Sequence, residues 1–403
     1  MTDRPPPADR ARATPAGENG PALITGGAGF VGCNLAAALL AEGRAVRVLD
    51  DLSRPGVERN LRWLRETYPR AEFRRADVRD AGAVADAVRG CGRVYHFAAQ
   101  VAVTTSLTDP VADFEVNARG TLNVLEAIRA ERDRGRVVPL LFTSTNKVYG
   151  DLGGVETTAA AGEEADGGEP RHRPVDADLA ERGVGEARPL DFHSPYGCSK
   201  GAADQYVLDY GRTYRLPTTV FRMSCIYGPH QFGTEDQGWV AHFARAALRG
   251  EGVTFYGDGR QVRDVLHVSD LVRAMRRALD DPARTLGRAF NVGGGPANAV
   301  SLRQVVAELG RLTGAPVPIT PGAWRPGDQK WYVSDTAALR GALGWRPRVD
   351  WRQGLADLVG WLGEHVERPR PAHGEAAPAD APADDVRAPD ADAARPRPAL
   401  ATA

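Results

Sequence analysis

The chain has 403 residues, 42% of them apolar and 26% charged, with a formal net charge of −1. That composition is ordinary for a globular protein and leaves room for two joined domains and a large core. The balanced charge argues against a nucleic-acid or acidic-membrane partner, no apolar run approaches the ~18 residues of a membrane span, and the start lacks the apolar core of a secretion signal.

Residues 1–20 and 367–403 are dominated by Pro, Ala, Asp, Glu and Arg and read as disordered tails. From Ala22 onward short β-type runs alternate with amphipathic segments. Strands are expected over 21–25, 45–50, 71–75, 93–99 and 137–145, and helices near 30–42, 57–67, 81–89 and, as one long element, 110–131. Repeated strand–helix–strand units predict an α/β fold, a doubly wound parallel Rossmann-type sheet covered on both faces. Residues 151–190, rich in Gly, Glu, Ala and Asp, are too long for an ordinary connection. They read as an insertion, either a mobile loop, the favoured expectation, or a partly ordered lid. From about Tyr227 the alternation ends, and short strands (253–257, 263–268, 289–294) mix with helices near 237–249, 269–279, 301–313 and 351–365. A cofactor domain over 21–226 is therefore expected, followed by a smaller, sequence-discontinuous C-terminal substrate lobe over 227–366. Some later segments should return to the first domain. Ligands bind at the carboxyl ends of such strands.

The first strand runs into Gly26-Gly27-Ala28-Gly29-Phe30-Val31-Gly32, which opens a helix. Glycines at 26, 29 and 32 permit a tight turn and close approach to a pyrophosphate, and the helix N-terminus supplies free N–H donors. The second strand ends in Asp50-Asp51, at the distance where a carboxylate binds the adenosine ribose. NAD is thus the expected cofactor, although Arg54 could accommodate the extra phosphate of NADP. Four scattered cysteines (Cys33, Cys91, Cys198, Cys225) form no CxxC pair, which suits reduced thiols in a cytoplasm better than zinc or disulfides. Cys198 and Cys225 either line the pocket or are structural thiols. His193, His230 and His267 show no metal-ligand spacing, so no metal is expected.

Tyr196 and Lys200 lie four apart at the start of a helix, on one face. A free phenol is a poor base at neutral pH, but an ammonium beside it favours phenolate. A strand ending in Thr143-Ser144-Thr145 precedes them, and Thr145 can hydrogen-bond a sugar hydroxyl and relay its proton to Tyr196.

Those combined residues resemble the extended short-chain dehydrogenase/reductase family, the nucleotide-sugar epimerases and dehydratases. The resemblance spans about 22–366 and includes the glycine turn, Asp77-Val78, residues 96–100, Asn117, the Tyr196–Lys200 pair, Arg222, residues 261–268 and Arg325-Pro326-Gly327-Asp328. It implies that Asp77 and Val78 lie beside the adenine and that Ala98, Ala99 and Ser144 also contact NAD. It further implies that Arg263 and Arg325 grip a nucleotide diphosphate, a task suited to guanidinium. Gln100, Asn146 and Gln231 are candidate sugar contacts. Asn117 holds an active-site group or merely satisfies helix backbone. Family members that eliminate water carry an Asp-Glu pair after the Thr145 position; here Asn146 and Lys147 stand there, which points to epimerisation. Strings at 144–152, 190–200 and 236–240 resemble the branch that inverts C2 of cytidine-diphosphate dideoxyhexoses. A 4-epimerase of a uridine- or guanosine-linked sugar remains the alternative. A non-catalytic NAD-binding regulator is a further one, disfavoured by the intact Thr145, Tyr196 and Lys200. The resemblance also implies a homodimer through the helices near 110–131 and 196–214.

Overall fold

The computed structural model describes residues 20–160, 171–325 and 327–365. The expected tails, Gly20 apart, and the 161–170 part of the expected insertion lie outside the described residues.

Strands β1 (Ala22–Thr25), β2 (Val46–Asp50), β3 (Glu72–Arg75), β4 (Arg93–His96), β5 (Leu140–Thr145), β6 (Thr218–Met223) and β7 (Arg288–Val292) make the central sheet. Their order is β7-β6-β5-β4-β1-β2-β3, with every neighbouring pair parallel. The inner strands, such as β1 and β5, are buried on both faces and rich in apolar residues, whereas the edge strand β3 (Glu72–Arg75) is not; alternate residues feed opposite cores. Ile24, Tyr95, Leu141 and Phe221 join Leu35, Leu39 and Met275 on one face. Leu23, Val94, Phe142 and Val220 join Val124, Ile128 and Val207 on the other. Strand order reverses between β1 and β4, which opens a crevice at their carboxyl ends.

The later chain supplies more than a separate lobe, since β7 completes the main sheet beside β6. A second small sheet centres on Val262–His267, flanked by Ala299–Ser301, Trp331–Tyr332 and Cys225–Tyr227. Helices Trp239–Arg249, Leu302–Thr313 and Trp351–His365 pack Phe243, Leu309 and Leu358 into a third core behind it.

Two expectations are corrected. The long helix near 110–131 is three pieces: Pro110–Phe114, a π-helical turn over Glu115–Arg119, and Gly120–Asp133. Apolar periodicity runs through that break, so the pattern hides it. The turn carries Asn117, whose amide donates to Ser199 Oγ of the neighbouring helix at 3.0 Å. The described parts of 151–190 are not a loose loop. Thr157–Ala160 pairs antiparallel with Arg171–Pro174, a helix spans Ala177–Arg182, and Val184 bridges to Ser334. Few apolar residues suffice, because Val184 enters a cluster with Tyr149, Trp331 and Tyr332 while backbone bonds tie the rest, such as His172 N to Arg260 O at 3.0 Å.

Candidate active site

The crevice is a cavity of about 1090 Å³. It runs from the glycine turn after β1, past the ends of β4 and β5, to Arg263 and Arg325. Every candidate catalytic, cofactor or substrate residue read from the sequence lines it except Asn117.

At one end, geometry excludes side chains. A Cβ on Gly26, which has φ of 65°, would stand 2.7 Å from Ala98 N, and one on Gly32 would stand 2.3 Å from Gly26 O. The turn therefore packs backbone on backbone, and the helix Phe30–Ala41 opens into the cavity. Asp50 braces this turn: its carboxylate accepts from Ala28 N at 3.0 Å and Leu52 N at 2.9 Å. Each oxygen keeps acceptor capacity for a further hydroxyl on the cavity side, and burial raises its pKa. Asp51 accepts from Ser53 N and Oγ at 3.0 and 2.7 Å. Asp77 pairs with Arg79 at 2.6 Å, which holds its carboxyl below the usual range. Ser144 Oγ is buried without a hydrogen-bond partner. A cradle that no Cβ fits, a helix N-terminus and a partnerless hydroxyl suit a dinucleotide, which Gly26–Gly32, Asp50, Asp51, Asp77, Val78, Ala98, Ala99 and Ser144 could hold.

At the centre, Thr145 ends β5 and Tyr196 opens the helix Ser194–Thr213. Burial pushes the Tyr196 phenol up to about 12; interaction with Thr145 lowers it, Asp113 raises it and Arg54 lowers it. Burial likewise pushes Lys200 down to about 7, against the pull of Asp204 and Asp113. The Lys200 ammonium donates to Thr143 O at 2.7 Å and lies 4.2 Å from the centre of the Phe142 ring. Burial thus outweighs the neighbouring charges at both groups, and the Lys200 ammonium is turned to a carbonyl. Asp204 is engaged elsewhere, in two bonds of 2.9 Å to Arg222.

Asn117 does not reach the cavity. Its amide donates to Gln100 O at 3.1 Å, Asp113 Oδ1 at 3.1 Å and Ser199 Oγ at 3.0 Å. It ties the Gln100 backbone to the neighbouring helix, and its own Oδ1 is buried without a hydrogen-bond partner. Sequence reasoning missed Asp113 and Ser199, and polar residues inside an apolar helical stripe were the available signal.

The far end is made of charged side chains. Arg263 donates to Asp328 at 2.7 Å. Arg325 lies 3.2 Å from Asp236 and 3.9 Å over the Tyr256 ring. Asn146 donates to Gln329 Oε1 at 3.3 Å. Gln231 donates to Ile226 O at 3.1 Å and leaves its own oxygen partnerless. Gln100 folds back on Ala102. Cys225 lines the cavity, taking the Trp239 indole N–H at 3.4 Å, whereas Cys198 is exposed. At the mouth, Asp151, Asp191 and His193 bring ligand-type atoms within 4.8 Å of one another, a grouping that spacing alone did not reveal.

The pattern of the NAD dependent epimerase/dehydratase family matches residues 22–293. The CDP-paratose 2-epimerase of Salmonella typhi is 40% identical over 346 residues, covering 84% of this chain and 98% of that one. Among solved structures, the UDP-glucose 4-epimerase of Thermus thermophilus in complex with NAD is 34% identical, with a TM-score of 0.67, over 84% of this chain and 98% of its own. The dTDP-glucose 4,6-dehydratase DesIV of Streptomyces venezuelae, solved with NAD, is 30% identical with a TM-score of 0.70 over 85% and 97% of the two chains.

Proposed function

The chain belongs to the NAD dependent epimerase/dehydratase family, and from that premise we propose that it is a nucleotide-sugar epimerase that inverts C2 of CDP-paratose to give CDP-tyvelose. One observation carries the choice of epimerisation. Thr145, Tyr196 and Lys200 share one cavity with the glycine turn, while Asn146 and Lys147 stand where eliminating members carry a carboxylate pair.

A carbinol C–H is not acidic enough for direct deprotonation, so inversion requires the carbon to pass through a ketone. NAD, held against the glycine turn of Gly26–Gly32, would supply a cationic ring and a reversible hydride acceptor at that carbon. The protein does the rest. Thr145 orients the hydroxyl, and the Tyr196 phenol accepts its proton once positive charge stands beside it. Lys200 would contact the cofactor and add to that charge. Arg263 and Arg325 grip the diphosphate so that the sugar turns while the nucleotide stays. In this reading residues 21–226 mainly bind NAD and 227–366 mainly bind substrate. Inversion at C4 of a UDP-linked sugar is the second reading, favoured by the 34% identity to a UDP-glucose 4-epimerase of Mycolicibacterium smegmatis.

A cytoplasmic homodimer is part of the proposal. Val111, Phe114 and Tyr206 are 70%, 50% and 49% exposed on the helices expected to pair, and four free cysteines suit a reducing compartment. Among the described residues no helix is long and apolar enough to cross a membrane.

The test is a panel of CDP-, UDP- and GDP-linked sugars incubated in D₂O and read by NMR. Inversion at C2 of CDP-paratose without deuterium at that carbon is expected. Heavy labelling there would exclude hydride recycling, and turnover confined to C4 of a UDP-sugar would move the assignment to the second reading.

A further inference from the structure

Lysine is scarce in this chain: Lys147, Lys200 and Lys330 are its only three, against 48 arginines. Two of them line the cavity. Lys200 already has its place in the mechanism; Lys147 has none, yet its setting is specific. Its backbone N–H donates to the Thr145 hydroxyl at 3.2 Å. Its ammonium donates to Gly327 O at 3.2 Å and lies 3.8 Å from Asp328 Oδ1. That same carboxylate oxygen takes Arg263 at 2.7 Å. Two cations therefore converge on one oxygen, in the wall between the reacting hydroxyl and the arginine pair.

One shared carboxylate does not satisfy two cations. An ammonium has three donors, and Gly327 uses one. The side chain lines the cavity and is 23% exposed there, so its other donors can meet a ligand oxygen; burial lowers its pKa, and Asp328 raises it. A compact ammonium on a flexible stem can meet a single oxygen beside the two arginines, whereas a guanidinium is a rigid planar fork. That difference gives a chain so rich in arginine a reason to keep lysine here.

We propose that Lys147 is a substrate-contacting, specificity-determining residue whose ammonium hydrogen-bonds an acceptor oxygen of the glycosyl phosphate, with Asp328 as the exchangeable partner it shares with Arg263. This rests on the nucleotide-sugar reading above.

Three lysines make the test direct. The full-length, NAD-loaded protein labelled with [¹³C]lysine gives three ε-carbon signals, assigned with Lys147→Met and Lys330→Arg. CDP and CDP-glucose are the probes, with binding followed by calorimetry. The Lys147 signal moves on binding while that of Lys330 stays. Movement with both probes supports the phosphate contact, and movement with CDP-glucose alone would place the contact on the sugar ring and overturn the phosphate assignment. Lys147→Met weakens CDP-glucose binding roughly tenfold or more, in keeping with loss of a charge-assisted hydrogen bond, retains NAD, and is not rescued by Lys147→Arg. A parent protein that binds CDP-glucose with a stationary Lys147 signal, or a Lys147→Met variant that binds as tightly as the parent, overturns the proposal. If the parent binds no CDP-, UDP- or GDP-linked sugar at all, the nucleotide-sugar reading fails first and takes this inference with it.

Discussion

The two ends of the cavity are built on opposite principles. Around the glycine turn, contacts are backbone to backbone, and the nearby carboxylate of Asp50 is committed to loop N–H groups. Around Arg263 and Arg325, contacts are between charged side chains that carry acidic partners of their own, Asp328 and Asp236. A fixed shape suits a cofactor that stays and is used repeatedly. Exchangeable ion pairs suit a ligand that enters, turns and leaves, because an incoming diphosphate can replace Asp328 and Asp236 with little change in charge around the guanidinium groups. Tyr196 stands between the two, and its substitution should separate them most sharply. Tyr196→Phe is expected to lower turnover on the order of 10²–10⁴-fold while leaving NAD and nucleotide-sugar binding intact. Steady-state kinetics with parallel binding measurements check this, and near-normal turnover would remove the phenol from the reaction.

The glycine end should fail by shape alone. A Cβ on Gly32 meets Gly26 O at 2.3 Å and Gly27 Cα at 2.6 Å, and neither is a flexible side-chain tip. Gly32→Ala should therefore cost about 1–3 kcal/mol of stability and lose NAD during purification, as read by thermal unfolding and cofactor absorbance. The charged end should fail differently. Arg263→Gln should leave NAD retention and melting nearly unchanged and raise KM for the nucleotide sugar by roughly ten- to a hundredfold, the worth of a charge-assisted hydrogen bond. If Arg263→Gln released NAD, the contrast between the ends would be wrong.

The same contrast decides what could be read from the sequence. The glycine end was legible because steric demands fall on consecutive residues: the spacing of Gly26, Gly29 and Gly32 states the shape it makes. The parallel sheet was legible for a similar reason, since its strands are short apolar runs with a regular repeat. The charged end was legible only through family resemblance. Arg263 and Asp328 are 65 residues apart, and nothing in either neighbourhood announces the other. The bracing of Ala28 N by Asp50, 22 residues further along the chain, was hidden for the same cause. The π turn at Glu115–Arg119 and the Asn117–Asp113–Ser199 cluster arise from helix packing, which periodicity does not encode.

The smallest expected effect lies at the rim of the cofactor end, and its sign can be worked out. Arg79 holds the Asp77 carboxyl below its ordinary value, so the folded state binds that proton less tightly than the unfolded chain does. The pair's contribution is present above the ordinary Asp range and fades as pH falls through the lowered value. The side chains are 29% and 49% exposed, so solvent screens most of the attraction and less than about 1 kcal/mol should remain. Asp77→Asn is accordingly expected to lower Tm by no more than about 2–4 °C at pH 7, with the gap to the parent closing in acid and narrowing in high salt. A larger drop that persists in acid would mean that Asp77 works through packing or the adenine rather than through Arg79. The cofactor end would then depend on side chains more heavily than its backbone cradle implies.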